Sequence, residues 1–271
     1  MFSLFRIELT AMDDCQIPST NGHLLHGMTF RNIETVDPEY SAWLHNENNG
    51  KPFAITPLRV KGNETDRPEH CSRGESFTFK VGVWEEKLAH YIPQAFAGGQ
   101  MIRVGKLLFR VTNVKCIQSW NPKGETGALV IRVGFTIVFN EPTAFRSEGI
   151  TRLFPEPRLV FGSLSNKWLQ ATGEKVPAEV LLEMEAKILP IRYALYTCAL
   201  QMDRFFVTGF VGQCVYRMDS GLSAECLEHL GCLLRIIPFT GIGYKTAMGM
   251  GVSDCVRTRE ATEEYGRHGI I

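Results

Sequence analysis

Three common features are missing from the sequence, and each absence excludes a class of protein. No run of about 18 apolar residues is present, so no membrane-spanning helix is expected. The eight cysteines are scattered and none forms a C-x-x-C pair, so the sequence shows no zinc or disulfide framework. The formal net charge at pH 7 is zero, which argues against a generic nucleic-acid-binding protein.

The amino-terminal residues give no sign of a secretion signal either. Residues 1–9 alternate between apolar and polar side chains and include Arg6 and Glu8, which is typical of a first β-strand. Since the cysteines also show no disulfide pattern, the simplest expected location is a reducing cytoplasm. The apolar content of 44% indicates a globular protein with a substantial core.

The usual nucleotide-binding motifs G-x-x-x-x-G-K-[ST] and G-x-G-x-x-G are absent, yet residues 240–251 form a glycine-rich loop. Its glycines, Gly241, Gly243, Gly249 and Gly251, follow the pattern G-x-G-(x5)-G-x-G. Glycine permits positive φ angles and close approach of another backbone. We therefore predict an exposed surface loop between a helix and a final strand.

The residues within this loop suit a phosphate group. Lys245 and Thr246 lie between the two glycine pairs and offer a positive charge and a hydroxyl. Consecutive backbone N–H groups in such a turn form an anion-binding concavity. The alternative is a tight connector with glycine at the end of a helix.

Hydrophobic periodicity predicts two copies of a strand–helix–strand–strand–helix–strand unit. Together they form an α+β chain of two ferredoxin-like domains. The turn at residues 121–127 is the predicted boundary, which gives domains 1–122 and 123–271. In the first domain we predict strands 2–10, 53–60, 76–83 and 101–114, with helices beginning near residues 19–21, 38 and 84. In the second we predict strands 128–139, 193–200 and 205–216 and a final strand after 251, with helices 159–169, 178–189 and 223–234.

The glycine-rich loop and a second segment together resemble a known family. Residues 44–58, LHNENNGKPFAITPL, and the loop pattern are similar to the CRISPR-associated endoribonucleases of the RAMP superfamily, which cut repeat RNA into guide RNAs. Weaker similarity lies at residues 22–27, GHLLHG, and at residues 139–146, FNEPTAFR. The matching segments span most of the chain.

The resemblance implies roles for individual residues. His45 occupies the position of the family's catalytic histidine, and Lys51 that of a catalytic lysine found in some members. His26 in the first helix is a candidate assistant to His45, and Tyr40 a weaker catalytic candidate. Some members have a catalytic tyrosine where this chain has Phe30. For His45 and Lys51 the alternative is an ordinary surface position, and for His26 and Tyr40 it is packing.

The same resemblance predicts the residues that bind RNA. They are Gly241, Gly243, Tyr244, Lys245, Thr246, Gly249, Gly251 and Arg146. Tyr244 can stack on a base, although such a tyrosine often packs beneath its own loop. Residues 101–158 carry a net charge of +5, whereas residues 1–100 carry −4, so Arg132 and Arg146 lie in a basic segment able to follow phosphates. The alternative is a solvated strand face on which both arginines are ordinary surface residues.

The predicted function is a metal-independent endoribonuclease acting on CRISPR repeat RNA without a cofactor. His23 and His26 have the i, i+3 spacing of metal ligands, but no further ligand set accompanies them. The alternatives are a non-catalytic RAMP-type subunit that binds guide RNA in an effector complex and a small-molecule enzyme with a phosphate loop. Other CRISPR effector subunits are possible partners, and a monomer or homodimer is expected.

Overall fold

The computed structural model describes residues 1–47, 50–63, 65, 67–123, 134–202 and 205–257. Contacts divide the chain into two compact units. The first unit comprises Met1–Gly124 together with two later segments, Leu200–Val207 and Lys245–Met250. The second comprises Glu125–Ala199, Thr208–Tyr244 and Gly251–Ile271. Part of the predicted boundary turn, residues 124–127, lies outside the described residues.

The first unit contains eight strands and three helices within its described residues. The strands are β1 Phe2–Ala11, β2 Cys15–Gln16, β3 Phe53–Ile55, β4 Arg59–Val60, β5 His70–Cys71, β6 Ser76–Val83, β7 Met101–Val104 and β8 Leu107–Trp120. The helices are α1 Gly22–Val36, α2 Pro38–Asn46 and α3 Glu86–Ala95. A 3₁₀ helix at Thr246–Met248 also belongs to this unit.

The main sheet of the first unit has the order β3-β6-β1-β8-β7, with antiparallel neighbours throughout. The short strand β4 also pairs with β6, and β2 pairs with β5 in a separate two-stranded sheet. The helices bury apolar side chains with the sheet in one core, which includes Leu25, Ile33, Leu44, Phe79 and Ile92. This burial drives the packing of the amphipathic helices.

Asp37 and Asn21 each precede a helix, but only the Asp37 side chain caps its helix. The Asp37 carboxylate accepts from the backbone N–H of Tyr40, and Pro38 occupies the first position of α2, as predicted. Asn21 precedes α1, within the predicted start at residues 19–21. Its side-chain oxygen instead accepts from the backbone N–H of Leu58 at 2.8 Å, so this side chain fixes the start of α1 against the segment that follows β3.

Two predicted strands of the first unit are each divided in the structure. The strand predicted at residues 53–60 becomes β3 and β4, because Pro57 lacks an N–H group and the N–H of Leu58 bonds to Asn21. The strand predicted at 101–114 becomes the hairpin of β7 and β8, which turns at Gly105 with φ of 63°. Both divisions depend on single turn residues rather than on the apolar pattern.

The described residues of the second unit contain the predicted strands and helices in the predicted order, together with a short two-stranded hairpin and a short helix that were not predicted. Its strands are β9 Gly134–Thr143, β10 Phe145–Ser147, β11 Ile150–Arg152, β12 Ile188–Gln201, β13 Phe206–Met218 and β14 Ser253–Arg257. Its helices are α4 Pro157–Thr172, α5 Ala178–Lys187, α6 Ala224–Arg235 and α7 Ile237–Thr240. The ends of β12 and β13 fall in the segment assigned to the first unit. Residues 128–133 of the predicted first strand lie outside the described residues.

The main sheet of the second unit has the order β12-β13-β9-β14. Strand β9 is central, and its neighbours β13 and β14 both run antiparallel to it. Phe135, Ile137 and Phe139 of β9 are buried, as are Phe161 of α4 and Leu230 of α6. At the end of β9 the carbonyl oxygen of Pro142 accepts from the N–H of Gly251 in the glycine-rich loop.

Candidate functional site

His45 lies at the exposed end of α2, in the position predicted from the sequence. Helix α2 spans Pro38–Asn46, and its buried Leu44 anchors the last turn in the core. The His45 side chain is exposed, and its ring lies 5.8 Å from that of Phe30 in an edge-on arrangement. The histidine is therefore accessible to a ligand while one side of its ring is supported.

Lys51 is bound to the backbone at the end of the same helix. Its Nζ donates to the carbonyl oxygen of His45 at 2.6 Å and to that of Glu47 at 2.8 Å. Burial lowers the pKa of this lysine from its ordinary value. A cation at the carboxyl end of a helix is stabilised by the carbonyl groups that have no helical partner there. The ammonium thus closes the last turn of α2 around His45.

His26 is held by the central turn of the glycine-rich loop. Its Nδ1 lies 3.0 Å from the carbonyl oxygen of Ala247. Its ring stacks on Phe53 at 5.8 Å and meets Phe30 edge-on at 4.8 Å. Burial lowers the pKa of His26 to about 4, even though the hydrogen bond to Ala247 acts in the opposite direction. His26 is therefore neutral near pH 7.

Phe30, where the resemblance implies a tyrosine in some members, contacts the rings of both His26 and His45. Tyr40 points elsewhere: it is buried, and its hydroxyl donates to the Glu85 carboxylate at 2.5 Å. Burial and this hydrogen bond raise the pKa of Tyr40 well above its ordinary value. The structure thus brings His26, Phe30, His45 and Lys51 together. The hydroxyl of Tyr40 is instead hydrogen-bonded to Glu85.

The four loop glycines all have positive φ, with values of 61°, 82°, 87° and 71° at Gly241, Gly243, Gly249 and Gly251. This part of the prediction is confirmed. The expectation of an exposed surface loop is wrong, because most of the loop is buried, including Gly241, Thr246, Gly249 and Gly251. The glycine pattern is needed because protein backbone approaches the loop closely.

In the first unit the close approach is between Gly249 and α1. A Cβ atom added at Gly249 would lie 2.9 Å from Cα of Gly22, and one added at Gly22 would lie 2.4 Å from the carbonyl oxygen of Met248. Two segments singled out in the sequence, residues 22–27 and the loop, therefore meet backbone to backbone. Lys245 belongs to the same unit, and its Nζ lies 5.3 Å from the centre of the Phe205 ring.

In the second unit the loop joins the segment at residues 139–146. The N–H of Tyr244 donates to the carbonyl oxygen of Ala144, and that of Gly251 donates to the carbonyl oxygen of Pro142, both at 3.0 Å. A Cβ atom added at Gly243 would lie 2.4 Å from the carbonyl oxygen of Ala144. Arg146 follows on β10 with an exposed side chain. Arg132 lies outside the described residues.

Two residues of helix α4, Ser163 and Lys167, bond to the loop, and neither was predicted from the sequence. Lys167 Nζ donates to the carbonyl oxygens of Thr240 at 3.0 Å and Gly241 at 2.8 Å. Ser163 Oγ accepts from the N–H of Gly243 at 2.9 Å. Burial lowers the pKa of Lys167 to about 7. Their i, i+4 spacing places both on one face of a predicted helix, but nothing in the sequence indicates that this face contacts the loop.

The described residues contain neither a membrane-spanning helix nor a cluster of metal ligands. No helix there is long and apolar enough to pass through a bilayer. Within the same ranges, no group of three or more histidine, cysteine or acidic residues is arranged to hold a metal ion. His23 and His26 thus acquire no further ligand within the part of the chain that is described.

Comparison with known proteins gives a family match in the second half of the chain. Residues 137–253 match the family model described as CRISPR-associated endoribonuclease Cas6. Cas6 of Streptococcus thermophilus is 28% identical over 119 residues, which are 43% of this chain and 48% of the relative. Cas6 of Mycobacterium tuberculosis CDC 1551 is 29% identical over 118 residues, 43% of this chain and 37% of the relative. The match thus spans less than half the length of these curated relatives.

Comparison of structures extends over nearly the whole chain. A Cas6 (TTHB231) product complex, from Thermus thermophilus, aligns with a TM-score of 0.78 and 22% identity, covering 94% of this chain and 100% of the other. A Cas6 (TTHA0078) product complex aligns with a TM-score of 0.69 and 24% identity, covering 94% and 99%. The predicted resemblance is confirmed: the chain is similar to the Cas6 endoribonucleases in sequence over residues 137–253 and has their mixed α/β fold along almost its whole length.

Proposed function

We propose that this protein is a metal-independent endoribonuclease that cleaves CRISPR repeat RNA. The ribose 2′-OH attacks the adjacent phosphate, which leaves a 2′,3′-cyclic phosphate and a 5′-OH. Similarity to proteins named as CRISPR-associated endoribonucleases supports the substrate class. The observation that carries the chemistry is the pair of histidines, His26 and His45, whose rings both contact Phe30.

His26 has the chemical state of a general base. The Ala247 carbonyl oxygen only accepts hydrogen bonds, so Nδ1 of His26 carries the proton in their contact. In the neutral ring this leaves a lone pair on Nε2. A nitrogen in that state takes the proton from the 2′-OH as it attacks. The low pKa of His26 keeps this lone pair available throughout the neutral range.

His45 then supplies the second proton transfer. Its exposed position at the end of α2 suits a general acid that protonates the leaving 5′-oxygen. Lys51 donates a hydrogen bond to the carbonyl group of His45 and so orients the last turn of α2, which carries this histidine. Its positive charge also favours the developing charge on the phosphate. Because two histidines provide both proton transfers, the proposed reaction requires neither a metal ion nor a cofactor.

RNA binding is assigned to the exposed side chain of Arg146 and to the partly exposed part of the glycine-rich loop, Gly243, Tyr244 and Lys245. The buried Gly241, Thr246, Gly249 and Gly251 contribute by shaping that loop. Phosphate contacts of this kind position RNA and do not specify its sequence.

We further propose that both units are ferredoxin-like, since each has helices between the strands of an antiparallel sheet of matching order. A cytoplasmic monomer or homodimer, able to deliver RNA to other CRISPR effector subunits, completes the proposal.

The test is cleavage of a labelled repeat RNA by the purified protein in excess EDTA. Cleavage is expected to persist, and a 2′-deoxy substitution at the scissile nucleotide is expected to abolish it. His45→Ala should lower the rate by roughly 10²–10⁴-fold, the usual contribution of a general acid or base, with little change in RNA affinity. Loss of activity in EDTA with recovery on adding magnesium contradicts the mechanism, as does near wild-type cleavage by His45→Ala.

One observation favours the alternative of a non-catalytic guide-RNA-binding subunit. Lys51 and Tyr40, both catalytic candidates, have their polar groups bound to protein partners. Such a subunit would bind repeat RNA and leave it uncut under every condition of the same assay. Tight binding without any cleaved product therefore selects this alternative, whereas a cyclic phosphate end selects the endoribonuclease.

A further inference from the structure

Two cysteines of the first unit lie directly opposite each other on neighbouring strands. Strand β2 pairs antiparallel with β5, and Cys15 is opposite Cys71 in the register. Their sulfur atoms are 2.7 Å apart, and both cysteines are free thiols in the structure. The Sγ atoms also lie 3.7 and 3.6 Å from the same acceptor, the carbonyl oxygen of Asp13. Both thiols therefore point toward each other and toward the same carbonyl oxygen.

We propose that Cys15 and Cys71 form a reversible redox pair, which a small-molecule disulfide such as oxidised glutathione converts to an intramolecular disulfide. Opposite residues in an antiparallel pair have Cα atoms roughly 4.5–5.5 Å apart, within the range of about 4.4–6.8 Å that a disulfide needs. The backbone is already fixed around the pair, because Ile17 N–H donates to Glu69 and Gly74 N–H donates to Ala11, both at 2.8 Å. Closure thus requires no rearrangement of the strands.

The two thiols differ in access, and this difference sets the order of events. Cys15 is partly exposed, whereas Cys71 is only 3% exposed. Burial, followed by the hydrogen bond to Cys15, raises the pKa of the Cys71 thiol to about 12. The thiolate is the reactive form of cysteine. Cys15 therefore meets the oxidant first, and Cys71 reacts second from its buried position.

The chemistry is a pair of thiol–disulfide exchanges. The Cys15 thiolate attacks one sulfur of oxidised glutathione, which forms a mixed disulfide and releases one glutathione thiolate. The Cys71 sulfur then attacks Cys15, loses its proton to water and releases the second glutathione. The two protein thiols are oxidised and the glutathione disulfide is reduced to two thiols. A dithiol reductant reverses both exchanges.

The experiment treats the whole folded protein with oxidised glutathione, blocks remaining thiols and maps the peptides by mass spectrometry. The expected product is a peptide pair linked through Cys15 and Cys71, with glutathione on neither, and dithiothreitol should remove the link. Exposed Cys116 lies in the same unit and serves as an internal control, because it is expected to carry glutathione as a stable adduct.

Two variants test the order of reaction. Cys71→Ser should leave glutathione trapped on Cys15, whereas Cys15→Ser should leave Cys71 unmodified. If Cys71→Ser fails to fold, Cys71→Ala gives the same test with an apolar side chain. The proposal is overturned if wild-type Cys15 keeps its glutathione, or if both thiols stay reduced while Cys116 reacts. Equal modification of Cys71 with and without Cys15 also contradicts it. None of these readouts depends on RNA cleavage, so the inference stands or falls separately from the proposed function.

Discussion

Among single residues, His26 shows how burial sets the charge of a side chain. Its pKa of about 4 in the folded protein lies below the ordinary value of 6.5, chiefly because the ring is buried. Between these values the unfolded chain binds the proton more readily than the folded one. His26 therefore contributes stability that is fully present above about pH 6.5 and is lost as the pH falls toward 4.

This difference predicts an acid-sensitive term in the stability. The free energy of unfolding should fall by up to roughly 3 kcal/mol from this residue between pH 7 and pH 4. His26→Gln should lack this part of the fall in unfolding free energy, whereas the carboxyl groups titrate in both proteins. Urea unfolding of the two proteins at several pH values gives the comparison. Parallel pH dependence in both would show that His26 is not the responsible group.

Lys245 allows the RNA-binding role of the loop to be tested without altering a glycine. Lys245→Ala is expected to weaken binding to different RNA sequences similarly, because a phosphate contact carries no sequence information. It should also flatten the dependence of log Kd on log salt concentration by about one unit. The measurement is a binding titration at three salt concentrations.

The matched control for this variant is Lys175→Ala, which removes an exposed lysine of the second unit. It should leave the salt slope unchanged. Equal slopes for wild type and Lys245→Ala would favour the connector interpretation of the loop. In that interpretation the lysine serves its own turn, where its Nζ lies 3.7 Å from the Met248 sulfur.

At the scale of an element, the glycine-rich loop is a largely buried segment between α7 and β14. Gly243→Ala should destabilise the protein by about 2–4 kcal/mol, because a positive φ is strained for alanine and the new Cβ meets the Ala144 carbonyl oxygen at 2.4 Å. Gly173 at the end of α4 has a similar φ of 77° and open space around it. Gly173→Ala should therefore cost only about 1 kcal/mol.

The difference between these two variants isolates the steric contact from the backbone strain. Both glycines belong to the second unit, so one urea denaturation series compares them directly. Equal losses of stability would mean that the loop moves away from Ala144 at little cost.

The helices and long strands could be predicted because their signals are local. The Asp37-Pro38 start of α2 and the apolar spacing of α6 are examples, and both elements formed as expected. The division of the strand at residues 53–60 was not predictable, because it depends on Asn21 reaching Leu58. The sequence also located His45 at an exposed helix end, but Ser163 and Lys167 could not be linked to the loop from spacing alone.

For the whole molecule, the notable feature is that the first unit is not one continuous stretch of chain. The turn that binds His26, within Lys245–Met250, is separated in sequence from α1 by more than 200 residues. A fragment of residues 1–124 should therefore keep the sheet β3-β6-β1-β8-β7 and lose the contact at Ala247. In hydrogen exchange, amides of α1 are expected to exchange faster in the fragment than in the full chain.

The amides of β1 and β8 provide the control in that experiment, since both strands pair within the fragment. Their protection should be similar in the fragment and the full chain. If α1 is equally protected in both, the turn at residues 246–248 contributes nothing to holding this helix. If β1 and β8 also lose protection, the later segments are needed for the unit to fold at all.

The late position of that turn also has a consequence during protein synthesis. A ribosome completes the main sheet of the first unit early, yet the backbone that fits against Gly22 emerges only after residue 249 has been added. Until then the surface of α1 at Gly22 and His26 faces the surrounding solvent and cellular proteins. A nascent chain that has not yet reached residue 249 therefore lacks the turn whose Ala247 carbonyl oxygen contacts His26.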